Sequence, residues 1–224
     1  SAVIALDIDP KVEGLYSRPE YFGVVCDLTK ASEIDDAISL AVARFGGIDM
    51  MVLNAGIFPA SKPLVDLTMD DLHKVMNINF DSNTYLLCKC HPILRQAFNG
   101  GRVVVIGSKN VPAPGPGAAA YSATKAALTQ LARVAALEWG KDNIRVNIIH
   151  PNAVFDTALW SEEILKQRAS HYGMSVAEYK TNNLLKVEVA SSDIAELAAE
   201  MCGPLFAKTT GAQLPVDGGN DRVI

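Results

Sequence analysis

Short apolar runs alternate with longer segments of helical periodicity along most of the chain. The apolar runs lack the polar–apolar alternation of half-exposed strands, which is typical of parallel strands buried on both faces. They lie at residues 2–6, 21–26, 48–53, 102–106, 145–149 and 212–216. Helices are predicted at 32–45, from Thr68 onward, and at 83–98, 119–139 and 192–201. This order predicts an α/β fold with a doubly wound parallel sheet.

Composition narrows the class of protein without pointing to a reaction. The 224 residues are 49% hydrophobic and carry a formal net charge of −5. These values suit one domain with a sizeable core and argue against nucleic acid as the main partner. The apolar runs are too short to span a membrane. Four cysteines are too few for a disulfide framework, so a reducing cytoplasm is expected. No metal site is predicted, because the histidines lack a ligand-like spacing.

The residues that follow the predicted strands are small or polar. These positions read Asp7, Asp27, Asn54-Ala55-Gly56, Gly107-Ser108 and His150-Pro151. Ligands of doubly wound sheets bind beyond the carboxyl ends of the strands, so a site is expected at this edge. Gly, Asn and Asp are also common turn residues, and the pattern alone therefore leaves a purely structural interpretation open.

The strongest chemical signal is the segment Tyr121-Ser122-Ala123-Thr124-Lys125. Tyr121 and Lys125 are one turn apart on a predicted helix and therefore share a face. A nearby cation favours the phenolate, so Lys125 is expected to lower the pKa of Tyr121 toward neutrality. An isolated pair of this kind is more often an ordinary surface pair. Ser108 ends the preceding strand, however, and its hydroxyl is expected beside the phenol, which together predicts an acid–base site.

These residues and several further motifs resemble the short-chain dehydrogenase/reductase family over nearly the whole chain. The further motifs are Asn54-Ala55-Gly56, Ile78-Asn79-Phe80, Ile144-Arg145-Val146-Asn147, Pro151 and Asp217-Gly218-Gly219. The resemblance implies a Rossmann-like fold in which Tyr121 is the general acid/base and Ser108 orients the reacting oxygen. It also implies that Lys125 contacts the nicotinamide ribose and that Asn79 links this lysine to solvent through a water relay.

The same resemblance implies a nicotinamide cofactor lying across Asp7, Asp27 and the Asn54-Ala55-Gly56 motif, with Tyr121, Lys125, Pro151 and Thr157 beside it. Asp7 follows the first apolar run, where the family reads the adenosine ribose. A carboxylate accepts both ribose hydroxyls and repels a 2′-phosphate, so NAD is expected rather than NADP. Thr157 would meet the nicotinamide carboxamide, although it stands one residue further from Pro151 than the family's threonine does.

The chain also departs from the family pattern. No Gly-rich Thr-Gly-x-x-x-Gly-x-Gly turn precedes Asp7, and the family's first strand and first helix are missing with it. Open strand edges are expected in consequence. Residues 1–224 are therefore interpreted as one dehydrogenase domain, incomplete at its N-terminus and part of a longer polypeptide. Residues 152–186 interrupt the α/β rhythm and predict a substrate lid. Lys109 and Asn110 either meet a hydroxylated or anionic substrate or face solvent.

Three segments, at residues 107–117, 182–186 and 207–213, are similar to the C-terminal part of bifunctional bacterial aldolase/dehydrogenases. Members of that group from rhamnose metabolism cleave rhamnulose 1-phosphate and oxidise the lactaldehyde released. The similarity implies a fused aldolase domain before residue 1 and NAD-dependent oxidation of a small hydroxylated aldehyde or alcohol. The long helices predict a homo-oligomer. The alternatives are a non-catalytic Rossmann-like binding or regulatory domain, and a dehydratase or epimerase of the same fold.

Overall fold

The described part of the chain contains six parallel strands in two hydrogen-bonded groups. A computed structural model describes residues 1–157 and 159–219. Within this part of the chain, β1 (Val3–Asp7) pairs with β2 (Tyr21–Val25). The second group contains, in spatial order, β3 (Met50–Leu53), β4 (Gly101–Ile106), β5 (Ile144–Pro151) and β6 (Gln213–Val216). All pairings are parallel, which confirms the predicted fold class.

The helices begin and end on local chemical signals. Thr68 caps a helix by accepting the Asp71 N–H at 3.1 Å, and Gly46, with a φ of 84°, ends the first helix in the left-handed region. The α-helices are α1 (Ala31–Phe45), α2 (Met69–Met76), α3 (Ser82–Leu94), α4 (Ala119–Trp139), α5 (Glu162–His171), α6 (Val176–Lys180) and α7 (Ser191–Cys202). None of the described helices is both long and apolar enough to cross a bilayer.

Strands β4 and β5 at the centre of the four-stranded group are covered on both faces. On one face, Val103, Val105 and Ile148 pack with buried residues of α1, α3 and α4. On the other face, Val104 and Ile149 pack against α7. The continuous apolar sequences of β4 and β5 follow from this, because every second side chain enters a different core.

The strands on either side of the break between the two groups are less buried than the sequence predicts. Met50 and Val52 of β3 are 40% and 48% exposed, and Val3 of β1 is 51% exposed. Among the described strands, β1 pairs with β2 alone and β3 with β4 alone, so one edge of each is free. The prediction of burial on both faces is therefore wrong for β1 and β3, whereas open strand edges are present as expected.

Two further differences from the predicted elements have local causes. The predicted helix over 83–98 ends at Leu94, because the chain tightens there into turns in which the Gln96 and Ala97 N–H groups bond the Ile93 and Leu94 carbonyls. Strand β5 continues beyond the apolar run, because His150 and Pro151 pair with Pro215 and Val216 of β6. This extension carries His150 to the edge of the sheet at which the candidate site lies.

Candidate active site

Ser108 and Tyr121 meet where β4 ends and α4 begins. Ser108 lies two residues beyond the last residue of β4 and is 6% exposed. Tyr121 lies in the first turn of α4, and the Ser108 side chain is close enough to its phenol to lower the pKa of the phenol by hydrogen bonding. The serine hydroxyl also accepts the Asn110 N–H at 3.1 Å. Ser108 and Tyr121 are thus neighbours, and their roles in a reaction stay predictions.

Lys125 follows one turn further along α4 and is almost completely buried. Its side chain is 4% exposed, and Nζ donates to the Ile106 carbonyl oxygen at 2.8 Å. Nζ lies 5.9 Å from the centroid of the Tyr121 ring. Burial disfavours the charged form and lowers the pKa of Lys125 from 10.5 to about 8. The ammonium group thus bridges helix α4 and the end of strand β4.

The pKa of Tyr121 is shifted in the direction opposite to the one predicted. Burial raises the pKa of the phenol above its ordinary value, and the hydrogen bond with Ser108 opposes this shift without cancelling it. The prediction that Lys125 lowers the Tyr121 pKa in this arrangement is therefore wrong. The physical reason is that desolvation penalises the phenolate, while the ammonium group is directed at the Ile106 carbonyl.

Asn79 lies on a π-helical segment, Asn77–Asp81, between α2 and α3. Its completely buried amide accepts the Ile57 N–H at 2.8 Å and donates to the Ile57 carbonyl at 3.0 Å and to Thr124 Oγ1 at 3.2 Å. The amide therefore ties the loop after β3 to α4. Such π-helical segments are frequent at functional sites.

Gly56 occupies the space between Asn79 and Lys125. A Cβ atom on Gly56 would lie 3.2 Å from Asn79 Oδ1 and 3.6 Å from Lys125 Nζ. The neighbouring Ala55 carbonyl accepts the Asn83 side chain at 3.1 Å, while Asn54 is exposed at the end of β3. A residue without a side chain at position 56 leaves the backbone open to close approach beside the lysine.

The two predicted cofactor-binding aspartates lie at the carboxyl ends of β1 and β2. Asp7 is exposed, and its Oδ1 accepts the Asp9 N–H at 2.9 Å. Asp27 accepts the Thr29 N–H and hydroxyl at 3.0 and 2.7 Å, and these contacts lower the pKa of its carboxyl group. The Asp7 carboxylate is thus accessible to a ligand at an open strand edge. The Asp27 carboxylate, in contrast, already contributes to the turn that leads into α1.

The remaining predicted site residues lie around the end of β5. Pro151 ends β5, and its carbonyl accepts the Lys109 N–H at 2.9 Å. The Thr157 hydroxyl donates to the Val154 carbonyl at 2.9 Å within its own loop, so its role at a carboxamide stays a prediction. Lys109 is only 3% exposed, and the interpretation that it faces solvent is wrong. Asn110 is half-buried and accepts the Gly115 N–H at 3.0 Å.

Tyr121 also lines a cavity of about 330 Å³. Phe58 covers this side of the phenol, with ring centroids 4.6 Å apart. Lys62 and Asp71 form an ion pair of 2.6 Å at the cavity wall. The volume of the cavity is at the lower end of the range for small-molecule sites. Phe58 was not predicted to belong to the site. Its position two residues after Gly56, in the predicted cofactor-binding motif, could have indicated that it lies close by.

The predicted lid contains α5 and α6 and an aromatic cluster. Phe155 packs against Trp160 and Tyr179, and Tyr179 stacks on Tyr172. Arg168 of α5 donates to Ser61 Oγ at 2.7 Å. This bond joins the segment to the loop that lines the cavity beside Tyr121. Residues 152–186 therefore have the position expected of a lid, while that role stays a prediction.

Comparison with known proteins places the chain in a family. The sequence model described as enoyl-(acyl carrier protein) reductase matches residues 3–221. The chain belongs to the short-chain dehydrogenase/reductase family. The oxidoreductase YuxG of Bacillus subtilis, itself uncharacterised, is 34% identical over 227 aligned residues, which cover 96% of this chain and 32% of that protein. The chain thus spans about a third of the length of this relative.

Two further similarities concern proteins of which this chain covers more than two thirds. An uncharacterised NAD-dependent oxidoreductase of Mycobacterium tuberculosis is 29% identical, over 86% of this chain and 70% of that protein. A solved structure of NAD⁺-bound xylitol dehydrogenase is 26% identical and superposes with a TM-score of 0.87 over 97% of this chain and 88% of that one. The Rossmann-like architecture predicted from the sequence is thereby confirmed.

The buried ammonium group of Lys125 makes stability depend on pH in a defined direction. Because the folded-state pKa of about 8 lies below the ordinary value of 10.5, the unfolded chain binds more protons between these two values. As the pH increases from about 8 to 10.5, the free energy of unfolding of the wild type should therefore rise by up to about 3 kcal/mol relative to that of Lys125→Met. Chemical denaturation at several pH values measures the difference. The exposed Lys141→Met variant is the control; equal pH slopes for wild type and Lys125→Met would contradict the burial of a charge.

Proposed function

We propose that the protein is an NAD-dependent dehydrogenase that oxidises a small hydroxylated aldehyde or alcohol of the lactaldehyde type. The observation that carries the proposal is the meeting of Ser108, Tyr121 and Lys125 at the carboxyl edge of the parallel sheet. The Ser108 side chain lowers the pKa of the Tyr121 phenol, and Lys125 Nζ lies 5.9 Å from the same ring while it donates to Ile106 at 2.8 Å, so the three polar groups are neighbours. Family membership supports oxidoreductase chemistry at that point.

The residues present fit a nicotinamide cofactor. Gly56 is exposed and has no side chain beside Asn79 and the Lys125 ammonium group, so a ribose hydroxyl can approach its backbone closely. The exposed Asp7 carboxylate suits the adenosine ribose and disfavours a 2′-phosphate. A bound nicotinamide supplies the acceptor or donor of the hydride. The NAD⁺ in xylitol dehydrogenase and the NAD dependence named for the mycobacterial relative support the same choice.

Tyr121 is the proton-transferring group in this proposal. Its raised pKa keeps the phenol protonated at neutral pH, which suits proton donation to a carbonyl oxygen. In the oxidation of an alcohol the phenol must accept the proton instead, and a cation close to it lowers the cost. Lys125 Nζ lies 5.9 Å from the Tyr121 ring and bonds the Ile106 carbonyl, so in this proposal the ammonium group turns toward the phenol to provide that charge. Ser108 holds the reacting oxygen, and for an aldehyde the hydrate takes the place of the alcohol.

The size of the cavity supports a small substrate. About 330 Å³ are available beside Tyr121, and the aromatic ring of Phe58 narrows the approach to the phenol. The wall also carries the Lys62–Asp71 ion pair, which offers polar partners for hydroxyl groups. A lactaldehyde-like molecule fits within this volume, and its hydroxyl group can bond the ion pair.

The longer protein is proposed to join this domain to a sugar-phosphate aldolase, as the three segments at 107–117, 182–186 and 207–213 imply. The chain matches only 32% of YuxG, which leaves room for a further domain in that relative. A homo-oligomer in the cytoplasm, serving carbohydrate metabolism, belongs to the same proposal. Release of lactaldehyde from rhamnulose 1-phosphate by the full-length protein would support the fusion. Rhamnulose 1-phosphate that stays intact in the presence of this protein would contradict it.

Two other functions remain as alternatives. A non-catalytic binding or regulatory domain would bind NAD without turnover, and a dehydratase or epimerase would convert substrate without net change in the cofactor. The assembled Ser108–Tyr121 pair favours turnover over simple binding. Absorbance of NADH distinguishes the proposed reaction from both alternatives.

Replacement of Tyr121 by phenylalanine tests the proposed chemistry. We expect Tyr121→Phe to lower kcat with lactaldehyde or propane-1,2-diol roughly 100- to 10,000-fold, because the proton-transferring group is lost. NADH formation by the full-length protein is the measurement. Tyr85→Phe is a matched control, since that phenol bonds Asp35, which lies on α1. Turnover in Tyr121→Phe close to that of the wild type would overturn the mechanism.

Replacement of Asp7 tests the choice of cofactor. Asp7→Ser should raise the KM for NAD roughly tenfold or more, because a charge-assisted hydrogen bond to the ribose is lost. Discrimination against NADP should weaken at the same time. Initial rates with both cofactors measure the effect, and Asp36→Asn on the exposed side of α1 controls for the change in net charge. A wild-type KM lower for NADP than for NAD would show the proposal to be wrong.

A further inference from the structure

The imidazole ring of His150, on strand β5, contacts the backbone N–H group of Ser108. His150 lies on β5 and is 5% exposed. Its Nδ1 accepts the Ser108 N–H at 3.2 Å, and its Nε2 lies 3.0 Å from Gln213 Oε1 on β6. The ring therefore joins the residue after β4 to the outer strand of the sheet.

The backbone N–H group of Ser108 has a different kind of hydrogen-bond acceptor from the N–H groups of its two neighbours. The Gly107 N–H bonds the Ile149 carbonyl at 2.8 Å and the Lys109 N–H bonds the Pro151 carbonyl at 2.9 Å, as in a parallel ladder. The Ser108 N–H instead bonds the His150 side chain. A buried N–H group without a partner is costly, so loss of this acceptor is expected to displace the serine backbone.

Gly107 provides the space for the ring. A Cβ atom on Gly107 would lie 2.5 Å from His150 Nδ1 and 2.8 Å from Cε1. Since real contacts of a Cβ atom are longer, the ring can lie against the backbone only where this residue has no side chain. Gly107 and His150 therefore form a matched pair beneath the serine.

The two contacts also fix the tautomer of the imidazole. Nδ1 accepts a hydrogen bond from a backbone N–H and so carries no proton, which leaves the proton of the neutral ring on Nε2. Nε2–H then donates to the Gln213 side-chain oxygen. An imidazolium ring would point an N–H at the Ser108 N–H and break this arrangement.

We propose that His150 is a positioning residue for the catalytic serine. It holds the Ser108 backbone while the Asn110 N–H holds the hydroxyl at 3.1 Å, and the two contacts together aim Oγ at Tyr121. This inference rests on the proposed dehydrogenase function. A displacement of about 1 Å at such a group can lower turnover on the order of 100-fold.

Two replacements of His150 separate a positioning role from general packing. His150→Asn keeps an acceptor oxygen close to the place of Nδ1 but is too short to reach Gln213. His150→Gln places its polar atoms near Nε2 and loses the acceptor for the Ser108 N–H. We expect His150→Gln to lower kcat roughly 10- to 100-fold in the full-length protein, with the KM for NAD within about twofold of the wild type. His150→Asn should recover most of kcat.

The outcomes distinguish this proposal from the proposed function itself. Equal kcat values for His150→Gln and wild type, or equal losses in both His150 variants, would overturn the positioning role. If Tyr121→Phe is inactive in the same assay, the dehydrogenase proposal stands whatever the His150 variants show. Nitrogen NMR of the wild-type imidazole tests the geometry without any variant. A neutral ring protonated at Nε2 supports the proposal, and a ring protonated at Nδ1 at neutral pH contradicts it.

Discussion

The hydrogen bond from the Lys125 ammonium group to the Ile106 carbonyl is the interaction on which the candidate site depends. It crosses from helix α4 to the last residue of β4 at 2.8 Å, with the lysine side chain 4% exposed. Removing a charge from water is unfavourable, and the fall in its pKa to about 8 corresponds to roughly 3 kcal/mol. A buried cation with a strongly shifted pKa at the ligand-binding edge of a sheet is typical of functional sites.

The geometry of the neighbouring groups follows from this bond. Ser108 lies two residues after Ile106 and Tyr121 one turn before Lys125, so the contact that fixes the lysine also brings the hydroxyl and the phenol together. Asn79 ties the loop after β3 to the same helix through Thr124. His150 supports the serine from β5. Four separate elements thus converge on one point, at the sheet edge where ligands of this fold bind.

The sequence predicted the residues of this site better than their electrostatics. The spacing of Tyr121 and Lys125 on one helix face, and the place of Ser108 after a strand, follow from periodicity and could be read directly. The direction of the Tyr121 pKa shift could not, because it depends on how far burial removes water from the phenol. The π-helical turn at Asn79 and the contacts of His150 could likewise not be predicted from the sequence, since both arise from tertiary contacts. The exposed faces of Met50 and Val52 show the same limit, as apolar periodicity does not reveal what covers a strand.

A direct titration of the Tyr121 phenol tests the central claim that this tyrosine lies desolvated beside Ser108. Tyrosine labelled at Cζ gives one NMR resonance for each phenol, and the resonance missing from Tyr121→Phe identifies the relevant one. In the protein without cofactor, the account predicts a pKa for Tyr121 above the ordinary value of about 10. A phenol that titrates at or below that value would contradict the desolvation of Tyr121 beside Ser108.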